Sequence, residues 1–221
     1  MAKTLAFIHT APLLIPLFMD LHKKEMPGVD AFNIVDESLL KNTIRERALS
    51  ETTIRRLVGY VQSAHDGGAD AVLVTCSSIG PAVEAARKAV RIPVLRVDEA
   101  MAEEAVWVGR RIGVAATLSS TLEPTVALLK STAAAHQRDA EIISCLCEGA
   151  FEAVSSGDAA KHDQIVTARL LELMGTVDVI VLAQASMARV VRSIPAEKRK
   201  TPILSSPELA MARAKQVMEK I

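Results

Sequence analysis

A chain of 221 residues, half apolar and 24% charged, is ordinary globular material. At that length roughly 70% of the unfolded surface can be buried, as one large domain or two small ones. The 26 basic and 26 acidic residues balance and aromatic residues make up only 3%, which argues against nucleic acid or membrane as partners and against base-stacking platforms.

Short apolar runs alternate with amphipathic stretches along the chain. Strands are predicted at residues 4–8, 31–35, 71–75, 94–97, 111–115, 141–146, 177–182 and 203–205. Most of these runs are continuously apolar, as strands covered on both faces are. A helical stripe of Ile54, Leu57, Val58 and Val61 precedes a stop at Asp66–Asp70, where glycine suits a left-handed cap. Ile92-Pro93 and Thr201-Pro202 favour extended backbone before the fourth and eighth strands. In the second half, residues 155–158 read as a helix stop, and Ile165, Ala168, Leu171, Leu173 and Met174 as a buried stripe. His22, His65, His136 and His162 read as surface positions, and residues 197–200 as a solvated turn. The alternation predicts an α/β fold with parallel sheets. Eight strands in two like sets favour two Rossmann-like halves with four-stranded open sheets over one closed barrel. The expected division is residues 1–98 and 99–206, with residues 207–221 packing back on the first half.

The two halves repeat each other. AlaAspAlaValLeuValThrCysSerSer at 69–78 lies over ValAspValIleValLeuAlaGlnAlaSer at 177–186, so that Asp70 falls on Asp178, Ser78 on Ser186 and Cys76 on Gln184. The same offset sets residues 3–9 over 111–117, which places His9 against Thr117. One residue further, Pro93 meets Pro202 and Glu99 meets Glu208. A duplicated sheet suggests a site shared by the two copies, with a thiol answered by an amide.

Ligands of parallel α/β sheets bind beyond the carboxyl ends of the strands. That rule selects His9 and Thr10, Asp36 to Ser38, Cys76 to Ser78, Asp98 and Glu99, Thr117, Cys147 and Glu148, Gln184 to Ser186, and Ser206 with Glu208. Cys76 follows an apolar strand and precedes two serines, where backbone N–H groups can stabilise a thiolate or bind a carboxylate. A small buried residue packing like alanine is the alternative there. His9, as a candidate, either orients a ligand or moves a proton. Cys145 and Cys147 lack histidine neighbours and read as packed thiols rather than a metal site. With three cysteines, an odd number, and no stretch resembling a signal peptide or the ~18 apolar residues of a span, the chain reads as cytoplasmic.

ValThrCysSerSer (74–78), AsnIleValAspGluSerLeuLeu (33–40), ProValLeuArgValAspGlu (93–99), AlaThrLeuSerSerThrLeuGluProThr (116–125) and LeuAlaGlnAlaSerMet (182–187) together resemble the cofactor-independent aspartate/glutamate/hydantoin racemases. The resemblance implies two halves related by a pseudo-twofold axis, a site between them, one acid/base cysteine from each, no cofactor and no metal. It also makes a homodimer an expectation. Carried over, Cys76 is the first acid/base group or nucleophile, with a pKa brought toward neutrality. Ser77, Ser78 and Thr117 bind carboxylate or carbonyl oxygens, Thr10 joins them, and Ala185 and Ser186 form the matching turn. Gln184 stands where the family has its second cysteine, and a carboxamide hydrogen-bonds but does not exchange a proton near pH 7. The expected activity is that of an amino-acid racemase or isomerase acting on a small anionic or carbonyl-rich substrate such as an amino acid, carboxylate or hydantoin. The alternatives are a single-cysteine decarboxylase, lyase or hydrolase, and a non-catalytic small-acid binding protein.

Overall fold

Each apolar run of the sequence forms a strand in the computed structural model, which describes residues 2–221. In chain order the elements are β1 (Thr4–His9), α1 (Ile15–Glu25), β2 (Asp30–Val35), α2 (Glu37–Glu46), α3 (Glu51–Asp66), β3 (Ala71–Val74), α4 (Val83–Arg87), β4 (Val94–Arg96) and α5 (Glu99–Val108). There follow β5 (Arg111–Ala116), α6 (Ser119–Ala135), β6 (Glu141–Leu146), α7 (Ala150–Ser155), α8 (Ala159–Leu173), β7 (Val179–Leu182), α9 (Ala188–Ser193), β8 (Ile203–Ser205) and α10 (Ser206–Lys220). Single 3-10 segments, Ser77–Ala82 and Ala185–Met187, follow β3 and β7. Among the described residues no helix is long and apolar enough to cross a membrane.

The strands form two all-parallel sheets, ordered β2-β1-β3-β4 and β6-β5-β7-β8. The chain accordingly divides into two compact units. One runs to Glu99 and resumes at Pro207–Ile221; the other is Ala100–Ser206.

In the first unit the central strands are apolar on both faces because both are covered. Ala6, Ile8, Val72 and Val74 pack with Leu57 and Val61 of α3. Leu5, Phe7, Ala71 and Leu73 pack on the other side with Phe18 of α1 and Met211, Ala214 and Met218 of α10. Each fully buried Leu or Phe contributes about 1.5–3 kcal/mol of transfer free energy, which fixes the sheet between its layers. Helix starts carry their own acceptors. Asp36 caps α2 through the Ser38 N–H at 2.9 Å, Ser50 caps α3, and Asp158 caps α8 through the Lys161 N–H at 2.9 Å. Gly68 and Gly157 close α3 and α7 at φ near +89°, a conformation that an added Cβ disfavours.

Three expectations need correction. Of the predicted α8 stripe, Leu173 is buried and Ile165 and Met174 pack against the same core, but Ala168 and Leu171 are exposed, and His162, Val166 and Leu170 are the further buried positions. His162 is 1% exposed because its Nδ1 meets Asp163 Oδ1 at 2.7 Å, which lets an imidazole occupy a core position. His22 is likewise buried, its ring edge-on to Phe7.

The third concerns how the repeats superimpose. Leu5 pairs with Ala71 as Ile112 pairs with Val179. Thr75 donates its N–H to Ile8 O just as Ala183 donates to Ala115 O, and Asp36 to His9 O as Cys147 to Ala116 O. His9 therefore corresponds to Ala116, and Thr10 corresponds to Thr117. The offset between β1 and β5 is one residue shorter than that between β3 and β7. The Asp70–Asp178 equivalence holds, and each closes the amino end of its sheet. Asp70 Oδ2 accepts the Thr4 N–H (2.8 Å), and Asp178 Oδ2 accepts those of Arg110 (2.8 Å) and Arg111 (2.7 Å).

Candidate functional site

In each unit the chain turns one way from the first strand and the other way from the third, which leaves a crevice at the carboxyl ends of those two neighbours. In the first unit the crevice is flanked by Thr10, after β1, and Cys76, after β3. In the second it is flanked by Thr117 and Gln184. The corrected register thus pairs a threonine with Cys76 in the first unit and a threonine with Gln184 in the second.

Cys76 is half-buried, with extended backbone at φ −124° leading into the buried segment Ser77–Ala82. Burial pushes its thiol pKa up. Hydrogen bonds from the Thr10 hydroxyl, the Ile79 and Ser78 N–H groups and the Ser78 hydroxyl act in the opposite direction without overcoming it. The expected pKa near neutrality is not what the surroundings produce, because dehydration of the thiolate outweighs its donors. Cys76 rests as a thiol with a preformed cradle for its anion.

The cradle has a rigid floor. A Cβ built on Gly80 would lie 2.6 Å from Nε and Nη2 of Arg96, so the backbone rests directly on the guanidinium. Arg96 is itself fixed by a buried bidentate pair with Asp98, Nε–Oδ1 at 2.8 Å and Nη2–Oδ2 at 2.9 Å. Burial alone would lower the Arg96 pKa, but Asp98 beside it raises it on balance. Sequence reasoning selected Asp98 but missed Arg96, although a lone cation within ValLeuArgVal was a visible signal.

His9 is fully buried and stacks on Phe7, with ring centroids 5.8 Å apart. Its Nε2 meets Asn33 Oδ1 at 2.9 Å and its Nδ1 meets Thr75 Oγ1 at 2.8 Å. Since Asn33 Oδ1 can only accept, Nε2 carries the proton, and Nδ1 accepts from the Thr75 hydroxyl, whose one proton it shares with Ile8 O at 3.1 Å. Burial lowers the imidazole pKa more than the Asn33 bond raises it, which keeps the ring neutral. With both nitrogens engaged, His9 anchors Thr75, the residue before Cys76. This geometry suits orientation rather than proton transfer.

Asp36 is held by Ser38 N–H and Oγ (2.9 and 2.7 Å), by the Tyr60 hydroxyl (2.7 Å) and by Arg56. Burial raises its pKa, but these donors prevail and hold it below the usual carboxylate range.

In the second unit Gln184 is half-buried and turned onto its own neighbour. The Thr117 N–H donates to Gln184 Oε1 at 2.6 Å, and Gln184 Nε2 donates to Thr117 Oγ1 at 2.8 Å. An N–H must meet oxygen, so the backbone donor fixes which way the carboxamide points. One amide N–H and one carbonyl lone pair are left over from these two bonds. Ala185 and Ser186 follow, half-buried, in the turn equivalent to Ser77 and Ser78, which are nearly fully buried. No group of three or more His, Cys, Asp or Glu suited to a metal ion occurs among the described residues.

The model of a family described as Asp/Glu/Hydantoin racemase matches residues 17–214. Among solved structures, a glutamate racemase isoform from Bacillus anthracis superimposes with a TM-score of 0.77 at 19% identity, covering 99% of this chain and 82% of the other. An allantoin racemase from Klebsiella pneumoniae gives 0.73 at 17% identity, covering 99% and 89%. An aspartate racemase from Picrophilus torridus gives 0.72 at 11% identity, covering 99% and 95%. No curated protein matches the sequence as a relative.

Proposed function

Since the chain belongs to the Asp/Glu/hydantoin racemase family, we propose that it is a racemase-type enzyme acting on an amino-acid, small carboxylate or hydantoin-like substrate through the Cys76 thiol. The observation that supports this most is the set of four donors from Thr10, Ser78 and Ile79 aimed at the Cys76 sulfur. Such a cradle lowers the cost of forming a thiolate when a substrate presents an acidic C–H. The substrate carbon loses its proton to sulfur, and the electron pair moves into the adjacent carbonyl or carboxylate as an enolate. By the family resemblance, Ser77 and Ser78 in the first unit and Thr117 and Ser186 in the second are the candidate donors to that charge, with Ala185 shaping the second unit's turn.

Return of the proton from Cys76 restores the original configuration. Inversion requires a second acid/base group, and Gln184, at the repeat position equivalent to Cys76 and bound to Thr117, has no exchangeable acid/base proton near neutrality. Exchange of the Cα hydrogen with solvent should therefore outpace inversion. A second reading rests on the resting protonation of Cys76. A neutral thiol whose repeat equivalent is a carboxamide suits one-sided protonation of an enolate formed by loss of another group, as in a decarboxylase or lyase.

The test uses enantiopure amino acids, dicarboxylates, substituted malonates and hydantoins in heavy water, followed by NMR and chiral chromatography. Deuterium incorporation with slow inversion, abolished in Cys76→Ser, supports the primary reading. Product formation with one configuration supports the second. Binding without exchange or turnover, unchanged in Cys76→Ser, rejects both and leaves a binding protein.

A further inference from the structure

Two thiols remain outside this chemistry. Cys145 and Cys147 sit two residues apart at the carboxyl end of β6, so they share a face, and both pack against the cluster around Val166, Leu170 and Leu173 of α8. At about 3.3 Å of rise per residue their Cα atoms are about 6.6 Å apart, at the upper limit for a disulfide, so bridging them requires the backbone after β6 to draw in. Cys147 lies just beyond the strand, so its backbone is not held by pairing on both sides. β6 is an edge strand. An opening of ≈ 400 Å³ is lined by Cys145 with Ser144, Glu148, Arg169 and Glu172. Cys145 thus meets solvent beside a cation while Cys147 is fully buried behind it.

We propose that Cys145 and Cys147 form a peroxide-responsive dithiol, in which Cys145 is oxidised first and Cys147 resolves it to an intrachain disulfide. The Cys145 thiolate attacks a hydroperoxide, the O–O bond breaks, and Cys145 becomes a sulfenic acid while hydroxide or alkoxide leaves. The Cys147 sulfur then attacks the Cys145 sulfur, the S–O bond breaks, and water departs with the Cys147 proton. Two thiols and one hydroperoxide give one disulfide, one alcohol or water, and one water. The hydrogen bond from Cys147 lowers the Cys145 pKa and Arg169 adds to this, while burial and the Glu172 carboxylate paired with Arg169 act against it. The same bond and burial raise the Cys147 pKa. The order of events follows from exposure and charge together. The proposal does not depend on what Cys76 does.

The experiment treats the whole protein with near-stoichiometric hydrogen peroxide, alkylates remaining thiols and maps them by mass spectrometry, with Cys76 followed in the same digest. The expected product is a dithiothreitol-reversible Cys145–Cys147 disulfide forming at least tenfold faster than any oxidation of Cys76. In Cys147→Ser, Cys145 stops at a sulfenic acid trapped by dimedone; in Cys145→Ser, Cys147 stays a free thiol. Arg169→Gln slows the first step several-fold. Oxidation of Cys147 without Cys145, disulfides only between molecules, or Cys76 reacting first in the wild type would each overturn the proposal.

Discussion

Replacing Gln184 by alanine removes the acceptor of the Thr117 N–H (2.6 Å) and the donor to its hydroxyl (2.8 Å) at a residue only 6% exposed. A buried donor left without an acceptor costs about 1–3 kcal/mol, more than the net value of a typical hydrogen bond. For a chain of this length, each kcal/mol lowers Tm by about 2–4 °C, so Gln184→Ala should melt about 2–12 °C lower. Gln184→Glu keeps an oxygen for the N–H and a second to accept from the Thr117 hydroxyl, which can rotate. It should therefore stay within about 0.5 kcal/mol of wild type at neutral pH. Thr117→Val removes only the hydroxyl and leaves the N–H satisfied, so it should fall between them. Urea unfolding by circular dichroism measures all three. Equal stability of the alanine and glutamate variants would falsify the reasoning, because the carboxamide would then be a spectator. Gln184→Cys carries the same stability cost as alanine; it should raise inversion relative to exchange if the position serves the chemistry.

Asp98→Ala leaves the Arg96 guanidinium buried without its bidentate partner and should destabilise by about 3–5 kcal/mol in urea unfolding, a loss under 1 kcal/mol counting against a buried pair. Thr10→Val removes one donor that lowers the Cys76 pKa, so the pH midpoint of its alkylation by iodoacetamide should move up from an already raised value; a downward move would contradict the cradle. Tyr60→Phe removes a bond that holds the Asp36 pKa down. A carboxylate with a depressed folded-state pKa adds stability above its unfolded value, which is lost as pH falls through the folded one. The variant should therefore begin acid unfolding at higher pH than wild type, as followed by circular dichroism, and an unchanged onset would exclude Asp36 from acid stability.

The strands were legible because a sheet covered on both faces writes itself as uninterrupted apolar sequence. Residues such as Leu5 to Ile8 and Val179 to Leu182 leave little choice of element. The α8 stripe was misread in part: Ile165, Leu173 and Met174 pack on the core as predicted, but Leu171 is exposed and a histidine, His162, takes a core site beside Asp163 and Arg189. The repeat located Cys76 and Gln184 at equivalent strand ends. It paired His9 with Thr117 wrongly, because one constant offset conceals a connection shorter by a residue, and backbone pairing was needed to restore Thr10 to that place. The Gln184–Thr117 bonds and the Arg96 floor under Gly80 join residues far apart in sequence, and no local pattern encodes them.

The order in which the first unit receives its parts has a consequence for synthesis. Met211, Ala214 and Met218 cover one face of its sheet, yet they emerge only after the whole of Ala100–Ser206. At about 5–20 residues per second, that leaves the Leu5, Phe7 and Leu73 face short of α10 for roughly 5–20 s after β4 has been made. The second unit, continuous in the chain, can close during that interval. Of the two units, the one translated first is thus the one completed last, and it carries an incompletely covered apolar face through that interval.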